Sequence, residues 1–206
     1  MNSTGITRSD PRADPEHTAA LLGVEVVTGD RISPDLLDAM FRLRNEVFHR
    51  RLNWKVQSRN GREFDEFDRL APHYVLVVDN CTAELLGSCR LLPTTGPYMI
   101  RDVFPQSLGD LRSPAHPQIW ELSRLVVSPG QPFAGPRFGP VATLVVDAAV
   151  RCLAGLGARE LVVFSHLDVE RKFRNTGYPV TRLADPITIE AKLCTAYSMP
   201  VPAAAP

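Results

Sequence analysis

The sequence has no pair of cysteines at redox or metal-ligand spacing. Its four, Cys81, Cys89, Cys152 and Cys194, stand far apart with no CxxC. That argues against a disulfide framework or a zinc site and for small buried hydrophobes in a reducing cytoplasm. The five histidines, His17, His49, His73, His116 and His166, show no HxxxH or HxH spacing, which leaves a metal site without support. Neither sign of charge is in excess, since Lys+Arg and Asp+Glu both number 23. No global field therefore favours nucleic acid or a membrane as partner, and any basic docking patch must be local. No apolar run approaches the roughly 18 residues of a membrane span, and none at the N-terminus resembles a signal peptide, so a cytoplasmic protein is expected. A Gly/Ser-rich or charged linker is missing from the middle, and no internal repeat appears. The 206 residues read as one domain over 23–198, with flexible tails at 1–22 and 199–206.

What is present alternates between helix and strand patterns. "VEVV", Val24 to Val27, reads as a short strand. "SPDLLDAMFRLRNEVFHRRL" opens with Ser33 as N-cap, Pro34 at the first helical position and Asp35 in the first turn. Leu36, Leu37, Met40, Phe41, Val47 and Phe48 then recur at helical spacing as one apolar stripe. A polar loop, "NWKVQSRNGREFDEFDRLAP", carries Trp54, Phe64 and Phe67. "HYVLVVDNCTAELLGSCRLLP" reads as a hairpin with strands Tyr74 to Val78 and Glu84 to Leu92 around a turn near Asp79 and Asn80. A short helix and a proline-rich turn at 114–117 lead to the strand "IWELSRLVV". Beyond it lie an Ala-rich helix stopped by Gly155 and Gly157, a buried strand "ELVVFSH", an amphipathic helix ending at Gly177 and a final alternating strand "ITIEAKLCTAY". The pattern implies the α/β (α+β) class, a central mixed sheet with helices on both faces. Gly135, Arg137 and Gly139 in "GQPFAGPRFGP" precede a helix, where backbone N–H groups can meet a phosphate. Its prolines remove donors, however, and the segment reads as an ordinary turn.

The strand "IWELSRLVV" places Glu121 and Arg124 among residues a sheet normally buries, and burying a charge without a partner is costly. Other charges sit beside apolar positions in the same way: Arg44, Asp65, Asp68 and Arg90. Two readings stay open on the residues alone. One is a structural ion-pair network. The other is a cleft for a zwitterionic small molecule, with carboxylates for its amine, guanidinium for its carboxylate, and Phe48 and Trp54 offering aromatic faces to a cation. Arg124 also poses a geometric question, because in a regular strand a residue three positions from Glu121 points to the opposite face. Either a bulge intervenes, or Arg124 pairs with Asp65 or Asp68 and holds the N-terminal loop over the site.

In order, "RNEVFHRRLNW", "GREFDEFD", "GSCRLLPTTGPYMIRDVFP" and "WELSR" resemble the acyl-homoserine-lactone synthases, the autoinducer synthases of bacterial quorum sensing. The likeness runs from about Val24 to Tyr197, and the family's charged and aromatic signature falls on Arg44, Phe48, Trp54, Asp65, Asp68, Arg90, Glu121 and Arg124. The resemblance implies a GNAT-like three-layer sandwich whose twisted mixed sheet opens into a V-shaped cleft. It implies that an acyl chain, carried as a thioester on acyl carrier protein or, in some members, on coenzyme A, is joined to the amine of S-adenosylmethionine. A lactone then closes and methylthioadenosine leaves. S-adenosylmethionine is thus a consumed substrate, and no cofactor is expected.

On that reading Glu121 is the general base, Ser123 orients substrate or water from the same strand face, and Arg124 completes the catalytic group. Arg44, Phe48, Trp54, Asp65, Asp68 and Arg90 bind S-adenosylmethionine. Leu144, Val145, Val162 and Phe164 border the acyl pocket, and Phe164 with Leu167 shortens it. Some relatives selecting 3-oxo chains carry threonine near Val162, and valine has no hydrogen bond to give a ketone, so an unsubstituted chain is expected. Arg171, Lys172 and Arg174 would dock an acidic carrier protein. Neither nucleic acid nor membrane is an expected partner, and a monomer is the default. The rivals are an ordinary acyl-coenzyme A N-acyltransferase acting on another amine, and a non-catalytic module that holds a nucleoside.

Overall fold

A computed structural model describes residues 21–131 and 135–203. Ser33 caps the first helix, α1 (Pro34–Arg44), by accepting a hydrogen bond from the Leu36 N–H at 3.3 Å, with Pro34 in the first turn where its missing N–H is harmless. The apolar stripe does not continue as one α-helix. At Asn45–Arg51 the chain widens into a π-helix, which brings Phe48 inward to 3% exposure.

The strands are β1 (Leu22–Thr28), β2 (Ser58–Arg59), β3 (Arg62–Glu63), β4 (His73–Asp79), β5 (Leu85–Pro93), β6 (Ile119–Val127), β7 (Glu160–His166), β8 (Thr181–Arg182), β9 (Ile187–Ile189) and β10 (Lys192–Pro200). The remaining helices are α2 (Met99–Asp102), α3 (Pro140–Gly155) and α4 (Leu167–Thr176), with 3-10 turns at Glu66–Leu70 and Pro105–Leu108. The main sheet runs β1-β4-β5-β6-β7-β10-β8, with β9 also on β10, while β2 and β3 make a separate ribbon. Among the described pairings only β6–β7 is parallel, with α3 as the crossover between them.

Alternation along the strands assigns the two faces. Cys89, Leu91, Trp120, Leu122, Leu161 and Val163 pack toward α3 and α4, with Val145, Val146, Ala149 and Phe173. The opposite face carries two smaller clusters, one under α1 around Met40, Leu76 and Val126, the other under α2 around Ile100, Leu92 and Val162. The result is three layers. Gly87 permits one close contact in this packing, since a Cβ there would meet Val141 Cγ1 at 2.8 Å and push α3 off the sheet.

Two features open the sheet in its middle. β6 and β7 pair over four residue pairs only, Ile119–Leu122 against Glu160–Val163, although both strands continue beyond. Against β5, β6 carries an extra residue: Ser88 faces Val126 while Arg90 faces Ser123. That bulge is where Arg124 adopts a left-handed backbone, φ +54°. A bulge bends the strand that holds it, and from there β6 diverges from β7.

The C-terminal region differs from expectation in two ways. "ITIEAKLCTAY" is a hairpin of β9 and β10, turned at Glu190 and Ala191 with φ of +46° and +64°. Tight hairpins with two positive-φ residues favour Gly or Asn, so Glu-Ala gave no turn signal. Residues from 199 are also not all tail: Met199 and Val201 are buried, Pro200 pairs with Glu160, and the Val201 N–H donates to the Arg159 carbonyl. Of the expected N-terminal tail, 1–22, Leu22 already belongs to β1 and pairs with Asp79, while residues 1–20 and 204–206 lie outside the described residues. Cys81 is exposed, Cys152 is intermediate, and Cys89 and Cys194 are buried, so the buried-hydrophobe reading suits only the last two fully.

Candidate active site

On the α1 and α2 face, residues from five parts of the chain meet in a network of buried charge. Arg44, at the end of α1, reaches Glu63 of β3 at 2.5 Å and forks onto both oxygens of Asp68 at 2.8 and 2.9 Å. Arg90 of β5 grips Asp65 at 2.5 and 3.1 Å, contacts Asp68 at 2.9 Å and donates to Ser123 Oγ at 3.2 Å. Arg124 contacts Asp65 at 2.7 Å and Glu63 at 3.0 Å. Tyr74 adds its hydroxyl to Asp68 at 2.8 Å. The two aspartates also cap their own 3-10 turn, with the Phe67 N–H donating to Asp65 and the Asp65 N–H to Asp68. Burial resists the charge on Asp68, but the Arg44 charge and hydrogen bonds, reinforced by Arg90, outweigh it and hold its pKa well below the carboxylate range. The Arg124 pKa is also pushed down, by burial aided by the neighbouring Arg90 and Arg44 charges, which for a base disfavours the charged form.

Three guanidiniums thus meet three carboxylates, and Glu121 stands outside this balance. It is 1% exposed, and both its oxygens accept backbone N–H groups at the start of α2, from Met99 at 3.1 Å and Ile100 at 2.8 Å. Among the described residues it forms no ion pair. Burial raises its pKa despite those two bonds. A buried carboxylate with no guanidinium of its own leaves the site net negative, which suits a cationic ligand and a proton acceptor.

Glu121, Ser123, Arg124 and Asp65 line a cleft of about 1450 Å³ in the opening between β6 and β7. Phe48, Trp54 and His166 line it as well. Phe48 and Trp54 stack at 5.0 Å with planes 4° apart, and His166 meets the Trp54 ring edge-on, also at 5.0 Å. Arg124 lies over Phe48 at 5.8 Å and donates to Met99 Sδ at 2.9 Å, so Met99 touches both Arg124 and, through its N–H, Glu121.

The structure brings the expected polar residues together but divides their work. Phe48, Trp54, Asp65, Glu121, Ser123 and Arg124 face the cleft, whereas Arg44, Asp68 and Arg90 lie behind it, saturated by one another. Of the two readings left open by the sequence, the ion-pair network holds for Arg44, Asp68 and Arg90, while the six residues at the cleft stand where a ligand could reach them. Both resolutions of the Arg124 problem hold too, since the bulge turns it to Glu121's side and Asp65 receives it. Glu63, wholly buried between Arg44 and Arg124, was missed. Its signal lay within "GREFDEFD", an acid two places before Asp65 and thus on the same side of an extended segment.

Other expectations are corrected. Leu144 and Val145 belong to α3's packing on the opposite face and do not line the cleft; Val145 is wholly buried there. Val162 faces the right side but is sealed at 1% exposure, while Phe164 does line the cleft. In α4, Arg171 is exposed beside Asp168 and Arg174 pairs with the buried Glu170, but Lys172 turns inward and its ammonium donates to the Gly135 carbonyl. An aliphatic stem with an inward carbonyl partner removes Lys172 from any docking face.

A mixed sheet split at a parallel strand pair and covered by helices on both faces is the GNAT-like acyltransferase architecture. A putative N-acetyltransferase from Lactobacillus plantarum shares this fold, with TM-score 0.60 and 14% identity over 88% of this chain and 99% of that one. Closer comparisons go beyond the fold. The family profile described as autoinducer synthase matches residues 30–205. An acyl-homoserine-lactone synthase of Acinetobacter nosocomialis is 34% identical over 76% of this chain and 84% of its own length. The crystal structure of the AHL synthase LasI superposes with TM-score 0.80 and 29% identity over 88% of this chain and 90% of that one. The CoA-dependent acyl-homoserine lactone synthase BjaI, solved with SAM and isopentyl-CoA, gives TM-score 0.77 and 25% identity over 88% and 84%. The chain belongs to the autoinducer synthase family, and it is an acyl-homoserine-lactone synthase, an acyltransferase of quorum sensing. Among the described residues no helix is long and apolar enough to cross a membrane.

Proposed function

We propose that this cleft acylates the amine of S-adenosylmethionine from an acyl thioester and then closes the homoserine lactone, releasing methylthioadenosine. The observation that carries the reading is Glu121, a buried carboxylate at the cleft held by two backbone N–H groups, with no guanidinium partner and a raised pKa. An ammonium nitrogen cannot attack until it loses a proton, and Glu121 takes that proton directly or through a water. The freed amine adds to the thioester carbon, the carbon–sulfur bond breaks and the thiol departs. The substrate carboxylate then attacks its own carbon next to the sulfonium, and methylthioadenosine leaves with the bonding pair.

The surroundings suit these steps. The Phe48–Trp54 stack offers faces to the sulfonium and nucleoside. The bulge at Arg124 interrupts the β5–β6 ladder, and a backbone N–H there would serve a developing oxyanion. Arg44, Asp68 and Arg90 act behind them by fixing Asp65 and Ser123, so their role toward S-adenosylmethionine is to position. Ser123 and Arg124 hold the substrate in the folded conformation that lactone closure requires.

The preferred donor is acyl carrier protein, docked in the cytoplasm on the exposed arginines of α4, Arg171 above all. The likeness to CoA-dependent BjaI makes coenzyme A the alternative carrier.

The test is one incubation with S-adenosylmethionine and a panel of acyl thioesters on both carriers, following free thiol and methylthioadenosine together. Both products in equal amount are expected. Thiol without methylthioadenosine would replace this reading with N-acylation of another amine.

A further inference from the structure

We propose that Phe104 and Phe164 form the closed end of the acyl pocket and restrict this enzyme to short acyl chains. This rests on the reading of the cleft given above and adds the class of acyl donor. Phe164 sits on β7 two residues past Val162, on the face shared with Glu121 and Ser123. Phe104 follows α2 across the opening, and the two rings meet at 4.7 Å with planes 36° apart. Both are half-buried and line the cleft, together with Met99, Val103 and Phe67.

Behind them the space is filled. Tyr98, Ile100, Leu108, Val162 and Ala196 are at most 1% exposed, form one packed cluster with Phe67 and Leu92, and none borders the cleft. An acyl tail directed from Glu121 into the α2 face therefore meets an aromatic wall. Alpha2 is not free to yield, because its first two N–H groups are held by Glu121 itself. The wall and the proton acceptor are thus parts of one rigid unit, which fixes the length between them.

A panel of butanoyl, hexanoyl, decanoyl and dodecanoyl thioesters, with methylthioadenosine release as readout, tests this. A chain that overruns the wall must force packed side chains aside, so wild type should favour hexanoyl over decanoyl by about tenfold or more. Phe164→Ala and Phe104→Ala should bring that ratio toward unity or invert it, and Phe164→Leu, the mildest change to the packing, should shift it partway. Equal use of hexanoyl and decanoyl by wild type would overturn the proposal. So would folded variants, checked by thermal melting, that leave the ratio unchanged. Calorimetric binding of hexanoyl- and decanoyl-homoserine lactone to the same proteins separates the two ideas. A chain preference in binding without methylthioadenosine release keeps the aromatic wall and sinks the reaction; release without any chain preference does the reverse.

Discussion

Asp68 and Glu121 are both buried carboxylates on the same side of the sheet, and their surroundings drive them apart. Asp68 receives Arg44, Arg90 and Tyr74, and its pKa is held down. Glu121 receives two backbone N–H groups and no guanidinium, and its pKa is pushed up. The difference separates a charge that builds the site from a charge left available for reaction. It also explains how four acids and three arginines crowd one face without neutralising it: the network closes on itself, and one carboxylate remains over.

Replacing each carboxylate should break the comparison in opposite ways. Glu121→Gln keeps the shape and the helix contact but removes the proton acceptor, so kcat should fall about a hundred- to ten-thousandfold while the melting temperature changes little. Steady-state methylthioadenosine release beside a thermal melt checks both halves. Asp68→Ala leaves buried guanidinium charge uncompensated and should cost on the order of 3–5 kcal/mol in a urea titration.

The pH response sharpens the contrast. On the proposed mechanism Glu121 acts only when ionised, so kcat/KM should decline as pH falls through an apparent pKa above the ordinary 4.5. The folded-state pKa of Asp68 is depressed, so its contribution is fully present above the ordinary 3.8 and is lost only as pH falls toward the lower folded value. Activity should therefore fail at a higher pH than the fold, as kcat/KM and circular dichroism measured on the same pH series would show. The smallest effect belongs to the rim. Arg171→Glu should raise KM for acyl carrier protein several-fold and leave that for S-adenosylmethionine unchanged.

Layer order, α1 with its cap and most strands were legible because hydrophobic period and capping chemistry are local signals. Parts of the site were legible for another reason, since charges embedded in apolar strands imply partners. What escaped depended on backbone geometry that residue types do not announce. The π-helix at 45–51 keeps helical spacing in the sequence while shifting which residues face inward. The Glu190–Ala191 turn lacks the usual Gly or Asn. Leu144 and Val145 have acyl-pocket chemistry, but only the crossover of α3 decides that they pack on the far face. The bulge at Arg124 could be posed as a question from face parity, and only pairing with β5 answers it.

The short β6–β7 seam carries an implication for how such an enzyme can change. Four residue pairs join the two halves of the sheet there. The side chains that would grip the amino acid, from Arg44 to Arg124, belong to the first half, and the arginines that would greet a carrier belong to the second. A crossover of coding sequence between β6 and α3 would join one parent's first half to another's second half with every strand register within each half preserved, and the two would meet anew at the Phe104–Phe164 contact. New signal dialects can then arise by shuffling, without rebuilding the reaction centre.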